Sequence, residues 1–405
     1  MLIEHHWVSL LATGNVEALR NALAMLDPAD IEANATFAAA AAAASLQAGN
    51  IAAALRYIAA GQPQAPDSGI PRRALDFVVA TTQLWRGDAS GARTSLSAVL
   101  GSPEVDVSIT MSAQAHLVGA ELWAGSLDHV LATCKRLLDV TPADHVTLRA
   151  ELHGYLAVAL IEKLDFAGAH QLAESAMAEV GSNKNACGPE VALLLAALGL
   201  AQRRVGETEA ALSTLTRAAT AARGAGSLKA AYATIALAGA LRDRGEIEKA
   251  RELTAEARRH RGACPDDGPI IEKAWQRDTK RARRQRFESS GLAEPFTARE
   301  LALLQLLPTE MTQRELGERL IVSFNTVKSY NRSIYRKLGV SSRSEAVQVA
   351  HDLGLLDATS PPEQAPTEAD PPAPKDKPES HNAACLLYTS PSPRDATLSR
   401  MPSSA

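Results

Sequence analysis

Aromatic side chains make up only 4% of the 405 residues, although hydrophobic residues reach 46%. Alanine and leucine, both strong helix formers, carry most of the apolar content, so the expected fold class is all-α. Cysteine is equally sparse. Cys134, Cys187, Cys264 and Cys385 stand far apart with no CxxC, which excludes a disulfide framework and a cysteine zinc site. Long hydrophobic runs are absent: "ATFAAAAAAASLQ" is too short and too rich in alanine to span a bilayer. The opening "MLIEHHWVSLLATG" lacks the basic start and small-residue cleavage site of a signal peptide. A cytoplasmic chain is expected.

No GxxxxGK[ST] occurs, so a triphosphate cannot be cradled by that route. His116, His129, His145, His153 and His170 show no metal-ligand spacing. With no nucleophile constellation, metal cluster or phosphate loop in view, the expectation is a protein that is not an enzyme and needs no cofactor.

A short pattern does recur: Gly, a capping residue, an apolar residue, two variable ones, then a small or aliphatic residue. It reads "GNVEAL" from Gly14, "GNIAAA" from Gly49, "GDASGA" from Gly87, "GSLDHV" from Gly125, "GETEAA" from Gly206 and "GEIEKA" from Gly245. A degenerate copy, "LDFAGA", starts at Leu164. Glycine permits the left-handed residue that ends one helix. Asn15, Asn50, Asp88, Ser126 and Asp165 are of the types that cap the next, and Glu207 and Glu246 complement its dipole. Ala54, Ala92, Ala169, Ala211 and Ala250 allow paired helices to approach closely. Stacked helical hairpins follow, each burying its apolar face against its neighbours. Residues 1–262 resemble tetratricopeptide-like repeats, at a looser spacing than that family's, and are expected to form a sensor or interaction domain.

A basic connector is expected over 263–290, where Arg281, Arg283, Arg284 and Arg286 cluster. Beyond it, "TARE", "TQRE" and "SRSE" place three capping boxes at Thr297/Glu300, Thr312/Glu315 and Ser342/Glu345. Ser323 is a lone cap and Gly339 a stop, and only "LIV" separates the second helix from the third. That is helix-turn-helix spacing. The stretch "SFNTVKSYNRSIYRKLGVSSR" holds Lys328, Arg332, Arg336, Lys337 and Arg343 and no carboxylate, in a chain of net charge -4. On a helix, Val327, Tyr330, Ile334 and Leu338 share an apolar stripe, and Asn325, Lys328, Arg332 and Arg336 share the opposite one. The second stripe suits the DNA major groove and its flanking phosphates.

Residues 291–357, through "NTVK", "KLGV", "SR" and "EAV" in order, resemble the DNA-binding domain of LuxR-type transcription regulators. The resemblance implies double-stranded promoter DNA as a partner, with DNA contacts from Asn325, Thr326, Lys328, Ser329, Arg332, Arg336 and Lys337. It also implies a homodimer through the last helix, around Glu345, Val347, Gln348 and His351. Tyr330 stands where many members have His, and Gly317 where Ala is usual. The latter costs about 1 kcal/mol of helix propensity unless close packing compensates.

Repeats followed by this domain resemble the large maltose-regulator-like activators, whose ATP-binding domain precedes the repeats; either Met1 is an internal start in a longer parent, which is the expectation, or the chain is a short form that senses without ATP. Residues 358–384 read as a Pro-rich disordered extension. Residues 385–405 look like a translated sequencing adaptor and carry no functional inference. The function expected is a sequence-specific DNA-binding transcription regulator, an activator, whose solenoid senses a ligand or protein partner. The alternative is a repeat-based adaptor whose terminal domain contacts the transcription machinery, such as RNA polymerase.

Overall fold

The computed structural model describes residues 2–102, 106–181, 188–224, 226–290, 296–353 and 355–356. Cys187, Cys385, the extension 358–384 and the segment 385–405 lie outside the described residues, as do the side chains of Arg283, Arg284 and Arg286. Contacts divide the chain into two compact units, one extending to Pro295 and the other opening at Phe296. No described helix is long and apolar enough to cross a membrane.

The first unit is a stack of antiparallel helix pairs. Leu2–Ala12 pairs with Val16–Ala24, Ala35–Gln47 with Ile51–Gly61, and Ile70–Trp85 with Ala89–Leu100. Val107–Trp123 pairs with Leu127–Val140, Val146–Glu162 with Phe166–Gly181, Ala192–Val205 with Thr208–Ala222, and Ser227–Arg244 with Ile247–Gly262. Each of the seven recurring motifs lies at the turn of one of these pairs. The architecture is a tetratricopeptide-like α-solenoid, as the periodicity predicts.

Composition separates the two helices of a pair. The first is apolar on nearly all sides, as in Ala35–Gln47 and Ser227–Arg244, and is buried along almost its whole length. The second is two-faced: Ile51–Gly61 buries Ala54 and Ile58 and turns Arg56 outward. Ala54, Ala92, Ala169, Ala211 and Ala250 are all fully buried, which is the close approach their size allows.

The turns are where the sequence reading meets a limit. All six motif glycines have positive φ, and so does Leu164 in the degenerate copy, at φ 66°. Asn50, Asp88 and Asp165 accept backbone N–H bonds from the following helix, at 3.0, 2.9 and 2.9 Å. Asn15 and Ser126 make no side-chain cap; the Asn15 amide donates instead to the Thr13 hydroxyl at 3.0 Å. Leu164 pays the left-handed penalty with 70% of its surface exposed, so Leu164→Gly is expected to stabilise this unit by about 1 kcal/mol after glycine's own entropy loss. All four tryptophans lie in this unit, so the urea midpoint by tryptophan fluorescence reads it; an unchanged or lower midpoint would contradict the strain.

The segment expected as a basic connector is corrected in its first half. The helix Gly268–Ser290 buries Ile270, Ile271, Ala274 and Trp275 in the core of the repeats. Its Asp278 bonds Arg242, both nearly inaccessible. The reason is an apolar stripe, Ile270, Ile271, Ala274 and Trp275, that the arginines further along obscure in the sequence.

Candidate nucleic-acid interface

Among the described residues of the second unit there are four short helices: Ala298–Leu306, Gln313–Leu320, Phe324–Leu338 and Arg343–Asp352. Two capping boxes start the first pair. Thr297 accepts from the Glu300 N–H at 3.2 Å while its own N–H donates to the Glu300 carboxylate at 2.6 Å. Thr312 and Glu315 do the same at 3.4 and 2.7 Å. At the fourth helix the box is displaced: Ser342 accepts from Glu345 N–H at 3.2 Å, but the Glu345 carboxylate takes the Ser341 N–H at 2.9 Å. Hydrogen bonds from the Ser341 backbone and hydroxyl hold the Glu345 carboxyl below the usual range.

The turn between the second and third helices is tight. Ile321 adopts φ 56°, ψ 45°, and Val322 N–H closes back on the Gly317 carbonyl at 2.9 Å. A Cβ on Gly317 would stand 2.9 Å from the Val322 carbonyl oxygen. Close packing thus accounts for glycine inside this helix, against its propensity. Ser323 then caps the third helix, accepting the Thr326 N–H at 3.1 Å, and Gly339 ends it at φ 68°.

The third helix has two unlike faces. Val327, Asn331, Ile334 and Leu338 are buried, as are Leu303, Leu304 and Leu316 on the two preceding helices. Tyr330, expected on this stripe, is only half-buried. Asn331 takes its place because the spacing of four from Val327 holds the same face more closely than a spacing of three. The Asn331 side-chain carbonyl is buried without a hydrogen-bond partner.

On the opposite face Asn325, Lys328, Ser329, Arg332 and Arg336 are all exposed. The first turn of this helix carries no acid, so its positive dipole end adds to the three cations. Lys328 Nζ lies 4.8 Å from the centre of the Phe324 ring, which holds the ammonium near the helix start. The Thr326 hydroxyl is tied to that of Ser323 at 2.7 Å, so its part in the cap is already engaged.

Two of the five cations in the acid-free stretch point elsewhere. Lys337, expected at phosphate, is 7% exposed and ion-paired at 2.6 Å with Glu300, itself 5% exposed. One residue past Arg336, it is carried about 100° round the helix, off the outward stripe and toward the first helix. Burial raises the Glu300 carboxyl, but hydrogen bonds from Lys337, Ser333 and Thr297 outweigh it and leave the group below its ordinary range. Arg343 donates to three backbone carbonyls, Leu307 at 2.9 Å, Met311 at 2.6 Å and Thr309 at 2.6 Å. It fastens the loop after the first helix. Neither role has a local sequence signal, since both partners lie more than thirty residues away.

Along the last helix, Ala346 and Ala350 are buried. Val347 is half-buried, while Gln348 and His351 are exposed beside it. Gln348 donates to Asp352 at 3.1 Å. Glu345, expected in the same set, is exposed and occupied by its cap.

Residues 294–350 match the family described as bacterial regulatory proteins, luxR family. The chain is 37% identical over 79 residues to the uncharacterized transcriptional regulatory protein YxjL of Bacillus subtilis (strain 168), covering 20% of this chain and 36% of that one. It is 43% identical over 61 residues to the HTH-type transcriptional activator RamA of Corynebacterium glutamicum, covering 15% and 22%. To the HTH-type transcriptional regulator MalT of Serratia proteamaculans (strain 568) it is 39% identical over 59 residues, covering 15% and 6%. The chain thus matches about a third or less of the length of these relatives. Among solved structures, a Rap protein complexed with competence and sporulation factor aligns at TM-score 0.50 and 10% identity, covering 87% of this chain and 98% of that one; this likeness is of fold alone. Residues 294–350 are therefore a helix-turn-helix domain of the luxR family of bacterial regulatory proteins, carried by a chain whose larger part is a tetratricopeptide-like α-solenoid.

Proposed function

We propose that the chain is a sequence-specific double-stranded-DNA-binding regulator of transcription, an activator, in which the solenoid senses an effector or protein partner. The observation that carries this reading is the exposed, acid-free face of the helix Phe324–Leu338 in a chain that is acidic overall. Lys328 and Arg332 are the base-reading pair, with Asn325 and Ser329 beside them; Arg336 contacts phosphate. The half-buried Val347 and exposed His351 belong to a homodimer contact, so the target has two half-sites.

Selection of sites from random duplex DNA by the full chain tests the reading. A two-fold motif is expected, and it is expected to vanish when Lys328 and Arg332 are both changed to Ala. Lys328→Ala by itself should weaken the selected site by about 1–3 kcal/mol. Arg336→Ala should weaken all sequences equally and lower the salt slope by about 0.9. Binding that stays weak and sequence-independent at physiological salt would remove the regulator reading in favour of a protein-docking adaptor.

A further inference from the structure

A cavity of about 630 Å³ in the repeat unit lies among its last three helix pairs and the helix Gly268–Ser290. Its apolar wall includes Ile161, Leu200, Tyr232, Ile235 and Ala274. Four guanidiniums, Arg203, Arg204, Arg277 and Arg281, line it against two carboxylates, Asp243 and Asp278.

The pairing among these groups leaves positive charge over. Arg203 Nε holds Asp243 at 2.6 Å, and Arg281 takes the other oxygen of the same carboxylate. Arg277 holds Glu162 at 2.5 Å behind the wall, where Tyr232 also donates to Glu162 at 3.1 Å. Asp278 is bonded by the buried Arg242. Counting Arg242 and Glu162, five guanidiniums meet three carboxylates. Arg204 is exposed and lies 5.5 Å from the centre of the Phe166 ring, with no carboxylate partner among the described residues.

The arginines are also held in place. A Cβ on Gly239 would meet Arg203 Nη1 at 2.5 Å, so the bare backbone of Gly239 is what makes room for that guanidinium. Arg203 is further fixed by Asp243, and Arg277 by Glu162. Guanidiniums already ordered lose little freedom on meeting a ligand. A concave site of this size, with an apolar wall on one side and convergent charged groups on the other, suits a small molecule that is itself part apolar and part charged.

We infer that this cavity binds a small organic anion, with a carboxylate, sulfonate or phosphate group at the arginine rim and an apolar body against Leu200, Ile235 and Ala274. This deepens the reading of the solenoid as a sensor and rests on it for the role of effector; the binding site itself stands on the cavity. Ala274, Arg277, Asp278 and Arg281 form one stripe of the helix Gly268–Ser290, which leads in sequence to the DNA-binding unit opening at Phe296. A ligand here touches the last element before that unit.

The test uses two fluorescent probes on the full chain without DNA. Anilinonaphthalene sulfonate joins an apolar ring system to one fixed negative charge, and phenyl-naphthylamine has the same rings without the charge. One sulfonate probe per chain is expected, bound at least about tenfold more tightly than the uncharged one. Arg204→Ala should weaken it about ten- to a hundredfold, and Arg204→Glu should weaken it further. Arg204 is exposed and holds no acid among the described residues, so Arg204→Ala breaks no described ion pair. Leu200→Trp, which fills the apolar end, should displace both probes. Equal affinity for the two probes, or sulfonate binding unmoved by Arg204→Glu, would overturn the assignment. Because no DNA enters the measurement, its failure leaves the DNA reading intact, and a failed site selection leaves this one intact.

Discussion

Replacing Lys337 by Ala is expected to destabilise the helix-turn-helix unit by about 3–5 kcal/mol, because it leaves the Glu300 carboxylate buried without its cation. Lys337 and Glu300 are almost fully enclosed, so solvent cannot take over. Glu300 also accepts the Thr297 N–H, and its disturbance weakens the start of the first helix. The folded-state carboxyl lies below its ordinary range, so the pair's contribution is present above the unfolded pKa and is lost as pH falls through the folded value. In the variant, protonation relieves the orphaned charge, so the deficit should shrink as pH drops toward about 4. Hydrogen exchange of amides in residues 298–338 of the full chain reads this unit. Protection should fall by about two to four powers of ten near neutral pH. A loss below about tenfold, together with weakened DNA binding, would return Lys337 to the phosphate role.

Lys229→Met should be comparably severe in the repeat unit, again by about 3–5 kcal/mol. Lys229 Nζ bonds Glu151 at 2.7 Å with both side chains nearly inaccessible, joining helices 78 residues apart in sequence. Around the carboxylate stand His116, 4.0 Å away, and the Tyr155 ring, whose centre is 5.8 Å from the ammonium. Burial raises the Glu151 carboxyl, but Lys229 and His116 outweigh it and hold the group below its usual value. The native pair therefore stabilises above the unfolded pKa and loses its effect as pH falls through the folded one. Without Lys229 the deficit should be greatest near neutral pH and diminish in acid. Tryptophan fluorescence in urea, at two pH values, checks both the size and the sign. A double change, Glu151→Leu with Lys229→Met, should recover most of the loss, since a matched apolar pair leaves no orphaned charge. A single variant as stable as the native chain would mean that Glu151 finds another cation.

The contrast between Lys328 and Lys337 shows where sequence reading stops. Both sit in one acid-free stretch, on one helix, with the same chemistry, yet one is exposed beside Phe324 and the other buried against Glu300. Helical phase hints at the difference, since Lys337 falls off the outward stripe. The partner that decides it is 37 residues away. Arg343 is similar: its three carbonyl acceptors follow a loop whose path no local pattern specifies. Tyr330 and Asn331 exchange places for a gentler reason, because hydrophobicity favoured the tyrosine while geometry favoured the asparagine.

What the sequence by itself determined lies within a few residues: the hairpin turns at Gly14, Gly49, Gly87, Gly125, Leu164, Gly206 and Gly245, the boxes at Thr297 and Thr312, and the two faces of the third helix in the helix-turn-helix unit. Such features are local because a turn or a cap is satisfied by its own neighbours. Only the tertiary structure decided which cations face outward, why Gly317 is tolerated, that the helix Gly268–Ser290 belongs partly to the core, and that four arginines from two helices far apart in sequence converge on one cavity. These depend on contacts between residues far apart in the chain, where burial and charge pairing act and sequence spacing carries no record of them.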